Sequence, residues 1–418
     1  MAVAERAAEG AATQIGGHAL ARLIGAEGIS VAGDWVLNTA ASIAVYRETE
    51  STVAVSVLLG LAAAPTVLVG PFAGATADRH ERRRIMVVAD ICSSVILGLA
   101  IAVSVAGFEL AGIYVSVFAL AVLSAFRRPA AEALRPVVAG DDEIGRANSM
   151  LQLATRLAMI LGPAAASGLM VAGGLRLVLG VDAISFAASA LLVLGIGYVA
   201  TPAEGSRTSP LRAALDGLKY ATRASDLRTV IGAIGVIMLL APVVNAGTLA
   251  LVKEALGLPE SRYGVLLAVE GIGAMALAML FTSLGPRLRL LPIGATALAV
   301  TGAATVLVGQ ARNFETALAG MAIMGMGVVG LQISLATYLQ KQTPDAFRGR
   351  VMSLTSMTAS SASIVGFALA GPLVYALGVR GAFTLAGAII ATAGLPIAGL
   401  VLTRKPAGDT PDTTPGVR

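Results

Sequence analysis

Apolar runs long enough to cross a hydrocarbon layer recur from end to end of this 418-residue chain, and they leave it little choice of solvent. A membrane span needs about 20 mostly apolar residues at about 1.5 Å of rise each. Such runs lie near 20–46, 52–76, 85–106, 110–136, 147–172 and 175–199, then near 228–251, 262–284, 290–309, 315–339, 350–376 and 380–403. They predict an all-α membrane protein of about twelve transmembrane helices, because lipid offers backbone amides no partner outside the helix itself. Mean hydropathy is +0.82 and charged residues make up 13% of the chain, about half the share of a soluble domain. The 48 glycines against 4% aromatics suit helices that approach closely. A single cysteine, Cys92, excludes an internal disulfide and any cysteine-based metal cluster. The first run follows a mixed-charge stretch and exceeds a signal-peptide core, so a retained helix is expected.

Between the sixth and seventh runs Pro202, Gly205, Ser206, Ser209 and Pro210 precede an amphipathic stretch from Leu211 to Leu227. The expected organisation is therefore a six-helix half over 1–199, a linker with a surface helix over 200–227, a second half over 228–403 and a tail over 404–418. With both termini inside, the inner segments hold 23 of the 30 Lys and Arg, the outer turns hold six, and Arg156 alone falls inside a run. That bias predicts a multi-pass protein of the inner (plasma) membrane with cytoplasmic termini. It also explains the pI near 9.6 without nucleic acid as a partner.

The halves repeat each other. Gly145-Arg146 before the fifth helix recurs as Gly349-Arg350 before the eleventh, and Gly162-Pro163 recurs as Gly371-Pro372. Two related halves with a site between them near the midplane is a transporter plan. Residues 74–85, Gly-Ala-Thr-Ala-Asp-Arg-His-Glu-Arg-Arg-Arg-Ile, resemble the turn between helices 2 and 3 of the major facilitator superfamily, G-x-L-A-D-R-x-G-R-K-x-x-L. Gly74, Asp78, Arg79, Arg82 and Arg83 match, while Thr76 replaces the Leu and Glu81 the second Gly. Further stretches resemble the branch of bacterial exporters related to macrolide-efflux and enterobactin-export proteins. They are Gly33-Asp34-Trp35, Arg128-Pro129-Ala130, Asp216-Gly217-Leu218-Lys219-Tyr220, Tyr263-Gly264 with Gly271-Ile272-Gly273, and Arg348-Gly349-Arg350-Val351. The resemblance implies a major facilitator fold of two pseudo-symmetric halves. It also implies a cytoplasmic gate in which Asp78 meets the start of helix 11 near Arg348 to Val351. Ala158, Gly162, Pro163, Ala166 and Ser167 resemble the antiporter motif G-x-x-x-G-P-x-x-G-G of helix 5, with small residues in place of three glycines. Gly162, Pro163, Gly371 and Pro372 are the expected hinge or packing points.

Residues inside the runs carry the candidate chemistry. Ser30, Asp34, Asn38 and Ser42 recur every fourth position and make one polar stripe on helix 1. An ionised carboxylate there costs at least about 2.5 kcal/mol, so it must be protonated, paired or wetted. Glu270 in helix 8 poses the same question, and Arg156 in helix 5 is the expected partner of one acid or the other. Asp34, Glu270 and Arg156 are thus the proton-coupling candidates; Asn38, Asn245 and Gln332 are the substrate-cavity candidates. Asp182 reads as paired with nearby Arg176, while Arg127 and Arg128 read either as the buried helix 4 arginine that the resemblance implies or as side chains snorkelling to headgroups. His18 and His80 stand too far apart to suggest a metal site.

No G-x-S-x-G, H-E-x-x-H or G-x-x-x-x-G-K-[ST] occurs, so neither enzyme nor ATP-driven pump is expected, and no cofactor beyond a proton gradient. Duplicated halves and the gate motif favour a carrier over a channel. The expected function is a monomeric secondary transporter exporting amphipathic small molecules (drug, antibiotic or natural product) in exchange for protons. A siderophore exporter or a lysophospholipid transporter of the same fold is the alternative.

Overall fold

The computed structural model describes residues 2–197, 225–284 and 290–403, all helix and short turns. The expected amphipathic linker helix and the tail 404–418 lie outside the described residues. Among those described, nine helices are long and apolar enough to cross a membrane. Two of them, Glu143–Leu194 and Phe347–Leu402, have the length of two spans. Glycines divide them: Gly173-Gly174 breaks the first and Gly378 the second, with φ of 66° at Gly174 and 67° at Gly378. A side chain in that left-handed region costs about 1–2 kcal/mol, so glycine marks these turns. The two glycines hold matching places in the two halves, at the fifth-to-sixth and eleventh-to-twelfth turns.

Another span is itself in two pieces. Pro65 lacks the amide that would continue the ladder, and the helix Thr52–Leu68 restarts as Gly70–Arg79 with a proline in its first turn. Counted this way, twelve spans result among the described residues. They are α1 (Ala2–Thr49), α2 (Thr52–Leu68 with Gly70–Arg79), α3 (Arg82–Val105), α4 (109–139), α5 (141–172) and α6 (175–194). Then follow α7 (Ser225–Ala250, continued by a π-helical turn Leu251–Ala255), α8 (Ser261–Leu284), α9 (Leu290–Gly309), α10 (Phe314–Gln342), α11 (345–377) and α12 (379–392 with Gly394–Thr403).

The expected helices are present, but several run on past their apolar stretch. Helix α1 starts at Ala2 rather than near 20, and only Gly140, with φ 67°, separates α4 from α5 where a polar turn over 137–146 is expected. Polar residues lengthen a helix as readily as apolar ones once it leaves the bilayer, so hydropathy marks the span and not the helix end.

Helices α1 and α3 pack on the α4–α6 segment, α7 and α9 on the α11–α12 segment, and α8 and α9 on α10. Across the halves α8 meets the α4–α6 segment and α2 meets the α11–α12 segment. One buried apolar core runs through both halves, from Leu37 and Leu97 to Leu266, Leu298 and Phe383. Phe72, Val171, Ile184, Leu191 and Tyr375 are exposed on the outside, as expected where lipid tails replace water. With an even number of described spans, the start of α1 and the end of α12 share one face, the terminal face; the opposite one is the distal face.

Candidate transport pathway

A cavity of about 350 Å³ opens between the halves. Its polar wall is the α1 stripe, where Asp34, Asn38 and Ser42 succeed one another at single-turn spacing, joined by Asn245 of α7 and Tyr263 of α8. Its apolar wall is Leu59 and Ala62 of α2, Leu267 of α8 and Phe367 of α11. The stripe is internally braced: the Asn38 side-chain amide donates to the Asp34 carbonyl at 2.8 Å and Ser42 donates to the Asn38 carbonyl at 2.8 Å. Trp35, beside Asp34, packs its Cβ against Gly162 of α5, where any side chain would meet it at 2.6 Å.

Behind the stripe lies a buried polar column. The Arg127 guanidinium of α4 is 6% exposed and donates to Asp90 Oδ1 of α3 at 2.6 Å. It also donates to Ser189 Oγ of α6 at 3.0 Å and to the Ala26 carbonyl of α1 at 3.3 Å. Ser189 in turn donates to Asp90 Oδ2 at 2.7 Å. Four helices thus share one charge-assisted network that satisfies both carboxylate oxygens, the condition under which a buried pair is tolerated. One and two turns along the same α6 face stand Ser185 and Asp182, the latter against Gly33 of α1. Toward the terminal face a second pair, Glu27 and Arg135, joins α1 to α4 at 2.7 Å.

At the distal end of the pathway side chains of the two halves are joined to each other. Tyr46 donates to Glu254 Oε1. Arg47 grips Glu260 Oε2 through Nε at 3.0 Å and a terminal nitrogen at 2.7 Å, and Lys253 reaches Glu260 Oε1 at 3.0 Å. Burial works to raise the Glu260 carboxyl, but the hydrogen bonds and charges of Arg47 and Lys253 together outweigh it and hold the group below its usual range. The backbone beneath this latch is irregular on both sides. Glu50, at the end of α1, has φ 47°, and α7 passes through its π turn at Lys253 and Glu254. Close glycine packing also joins the halves. Gly264 of α8 lies on the Pro163 carbonyl of α5, Gly371 of α11 on Val53 of α2, and Gly60 of α2 on Phe367 of α11.

Comparison with known proteins bears on what this pathway serves. A model of the major facilitator family described as transmembrane secretion effector matches residues 16–415. The chain belongs to that family. It is a multi-pass membrane transporter and not an enzyme. It is 27% identical to the multidrug efflux pump Tap of Mycobacterium tuberculosis over 407 residues, covering 91% of each chain. It is 26% identical to the enterobactin exporter EntS of Escherichia coli over 355 residues, covering 82% of each. Among solved structures, the nucleoside transporter NupG superposes with a TM-score of 0.75 at 8% identity over 92% of this chain and 99% of that one. A bacterial homologue of the iron transporter ferroportin, in an inward-facing state, superposes with a TM-score of 0.68 at 16% identity over 90% and 98%. These likenesses show the major facilitator fold.

Within this transporter the candidates separate. Asp34, Asn38 and Asn245 meet at the cavity. Glu270 continues the α8 face of Tyr263 and Leu267 at i+7 and i+3, toward the terminal face, with its carbonyl against Gly325 of α10. Arg156 is half-buried on α5 and bonds neither acid in this structure, while Gln332 is exposed on α10 outside the cavity lining. Gly74 and Arg79 lie on the second piece of α2, Arg79 exposed. The Asp78 side chain, and with it the expected meeting with helix 11, lies outside the described residues. Arg82 donates to the Ala133 carbonyl at 3.0 Å and Arg83 to the Val193 carbonyl at 3.2 Å and that of Leu194. Arg22 donates to the Gly195 carbonyl, so two arginines cap the C-terminal end of α6, where the helix dipole favours cations.

Of the two readings open for Arg127 the structure has the buried one: Asp90, which was not singled out, holds it in the protein interior. One expectation is corrected: Asp182 is not paired with Arg176, which donates to Ser104 Oγ at 3.1 Å and to the Ser104 carbonyl at 3.2 Å. Six residues apart on one helix, Asp182 and Arg176 point in different directions. The signal for the buried column was available in Asp182, Ser185 and Ser189, a polar i, i+3, i+7 series inside an apolar run.

Proposed function

We propose that this transporter exports amphipathic small molecules in exchange for protons by alternating access, with Asp34 as the residue that trades a proton for substrate. The observation that carries the reading is Asp34 on a cavity wall that is polar along α1 and apolar along α2, α8 and α11. A molecule with an apolar body and a cationic or hydrogen-bonding end fits that division. An uncompensated carboxylate at membrane depth costs about 2.5–3.5 kcal/mol, so Asp34 favours having either a proton or a cationic group beside it. Competition between the two is an exchange mechanism. The names of the relatives, a multidrug efflux pump and an enterobactin exporter, support export.

In this reading the basic terminal face is cytoplasmic, by the positive-inside bias, and the two six-helix bodies 1–199 and 228–403 rock about the cavity. The latched distal face supports reading this form as the one that loads from the cytoplasm. Opening toward the outside requires release of Arg47 and Lys253 from Glu260 and of Tyr46 from Glu254. Glu270 and Arg156 are assigned to the terminal half of the path, where a moving half brings the pair together. One copy of the chain contains the whole pathway. Drug resistance in a susceptible host follows where the substrate is an antibiotic; a siderophore or lysophospholipid substrate is the alternative within the same cavity.

The test uses the purified full chain in proteoliposomes. An imposed proton gradient drives ethidium, a lipophilic cation, against its own gradient, and an uncoupler stops it. Gradient-independent, unsaturable ethidium leakage contradicts the proposal.

A further inference from the structure

Tryptophans of membrane proteins collect at the headgroup level, yet the only tryptophan of this chain, Trp35, stands in the middle of the first span. It lines the cavity one residue from Asp34 and one helical turn from Asn38. Tyr263 of α8 and Phe367 of α11 line the same space. Three of the twelve described residues around the cavity are thus aromatic, in a chain that is 4% aromatic and would supply fewer than one by composition.

Glycines seat two of these rings. Gly162 of α5 lies against the root of Trp35, where a Cβ would come within 2.6 Å of the Trp35 Cβ. Gly60 of α2 faces the Phe367 Cβ in the same way, at 3.3 Å, and Gly366 beside it lies on the Leu239 carbonyl of α7. Both rings therefore project from tight helix crossings. The crossing at Gly162 involves only the Cβ of residue 35, so packing gives no reason for an indole there.

Charge narrows what the rings can meet. Among the described residues of the lining, the one charged side chain is Asp34. Arg127, in the column behind, is outside the lining and is held by Asp90 at 2.6 Å. Along α1 the Ser42 hydroxyl and one amide hydrogen of Asn38 are spent on backbone carbonyls, which leaves carboxyl and amide oxygens as acceptors. A phosphate or carboxylate finds no cation on this wall and a like charge at Asp34. A cation finds a carboxylate beside π faces.

We propose that Trp35 determines specificity: its indole stacks on the ring system of an aromatic cation whose charge lies at Asp34, with Phe367 on the apolar wall. The assignment rests on the cavity being the exchange site, and it narrows the occupants to aromatic cations, excluding anionic siderophores and phosphate-bearing lipids. Stacking does not depend on the charge of Asp34, so ethidium is held more weakly, rather than lost, when that acid is neutral.

Because Trp35 is the only tryptophan, its fluorescence reads this site alone. The purified full chain in detergent is titrated with tetraphenylphosphonium and, separately, with tetraphenylborate, ions of one shape and opposite charge. The cation should change Trp35 emission saturably and the anion should not; an equal saturable response to both overturns the charge class without any variant. Trp35→Phe and Trp35→Leu both keep the Cβ that Gly162 meets and differ in the ring, so they separate stacking from packing. Ethidium affinity, read from the polarisation of the dye, should fall about tenfold in Trp35→Leu and stay within about threefold of wild type in Trp35→Phe. Unchanged affinity in Trp35→Leu, or equal losses in the two variants, overturns the role of the ring. If ethidium binding depends on Trp35 but no protons move with ethidium, the proposed exchange fails and the specificity assignment stands. If protons drive ethidium equally well, at the same KM, in Trp35→Leu, the exchange stands and the assignment fails.

Discussion

The two halves share one architecture and differ in what fills it. In the first six helices the core contains charge: Glu27, Arg82, Asp90, Arg127 and Asp182 are all buried there. In the last six, the buried polar residues among those described are hydroxyls, Thr248, Thr301, Thr305, Ser334 and Thr343. Their place is taken by glycines pressed on backbone. Gly273 lies on Ala322 of α10, Gly325 on the Glu270 carbonyl, Gly302 on Gly387 and Ala391, and Gly327 on Thr301. Helices in lipid gain no hydrophobic drive from pairing, so association needs either polar bonds or close van der Waals approach. The first half uses the former and the second the latter. In the proposed exchange it is the charged half that supplies the cavity acid, Asp34.

Substitutions that cross this division have ranked consequences. Asp34→Asn abolishes proton-driven ethidium transport with the fold intact, and Glu270→Gln leaves part of it; the reverse order, measured in proteoliposomes, places the coupling in the wrong half. Arg127→Met strands Asp90 as a buried unpaired charge, at a cost of about 3–5 kcal/mol. Thermal unfolding in detergent reads that loss, and Arg127→Met combined with Asp90→Leu recovers most of it. The matching change in the second half is Gly325→Ala, whose Cβ meets the Glu270 carbonyl. Overpacking of this kind costs about 1–3 kcal/mol, without any dependence on pH. A pH-dependent loss in Gly325→Ala would break the comparison.

The smallest effect is expected where the halves meet. Arg47 and Lys253 are 51% and 40% exposed in their side chains, so each pair with Glu260 contributes about 1 kcal/mol or less. Glu260→Gln removes both pairs and therefore shifts the population of distally open molecules by less than about thirtyfold, read as a spin-label distance across that face. The Glu260 carboxyl is held below its ordinary range, so the contribution of the latch is complete above that range and disappears only as pH falls through the lowered value. The same distance should stay constant from neutral to mildly acidic pH and lengthen in strong acid.

The spans were legible because length and hydropathy are properties of a segment alone. Helix ends were not, since nothing in α1 before residue 20 is apolar enough to betray a helix that begins at Ala2. The cavity stripe of Asp34, Asn38 and Ser42 followed from a four-residue period on one helix. Partnerships between helices did not, because sequence proximity is a poor guide to them. Asp182 sits near Arg176 in the chain but faces Gly33, and Asp90, inside an apolar run just as Asp34 is, goes to Arg127 on the next helix. The distal latch drew on Tyr46, Arg47, Glu254 and Glu260, which in sequence stand at the end of an apolar run or in the turn beyond one, with nothing to mark them as partners.

Proton release on substrate binding tests the account most directly. Detergent-solubilised protein in weakly buffered solution with a pH-sensitive dye is given ethidium. The wild type should release protons and Asp34→Asn none, with ethidium bound in both cases. Equal release from Asp34→Asn would contradict an exchange centred on the cavity acid of the first half.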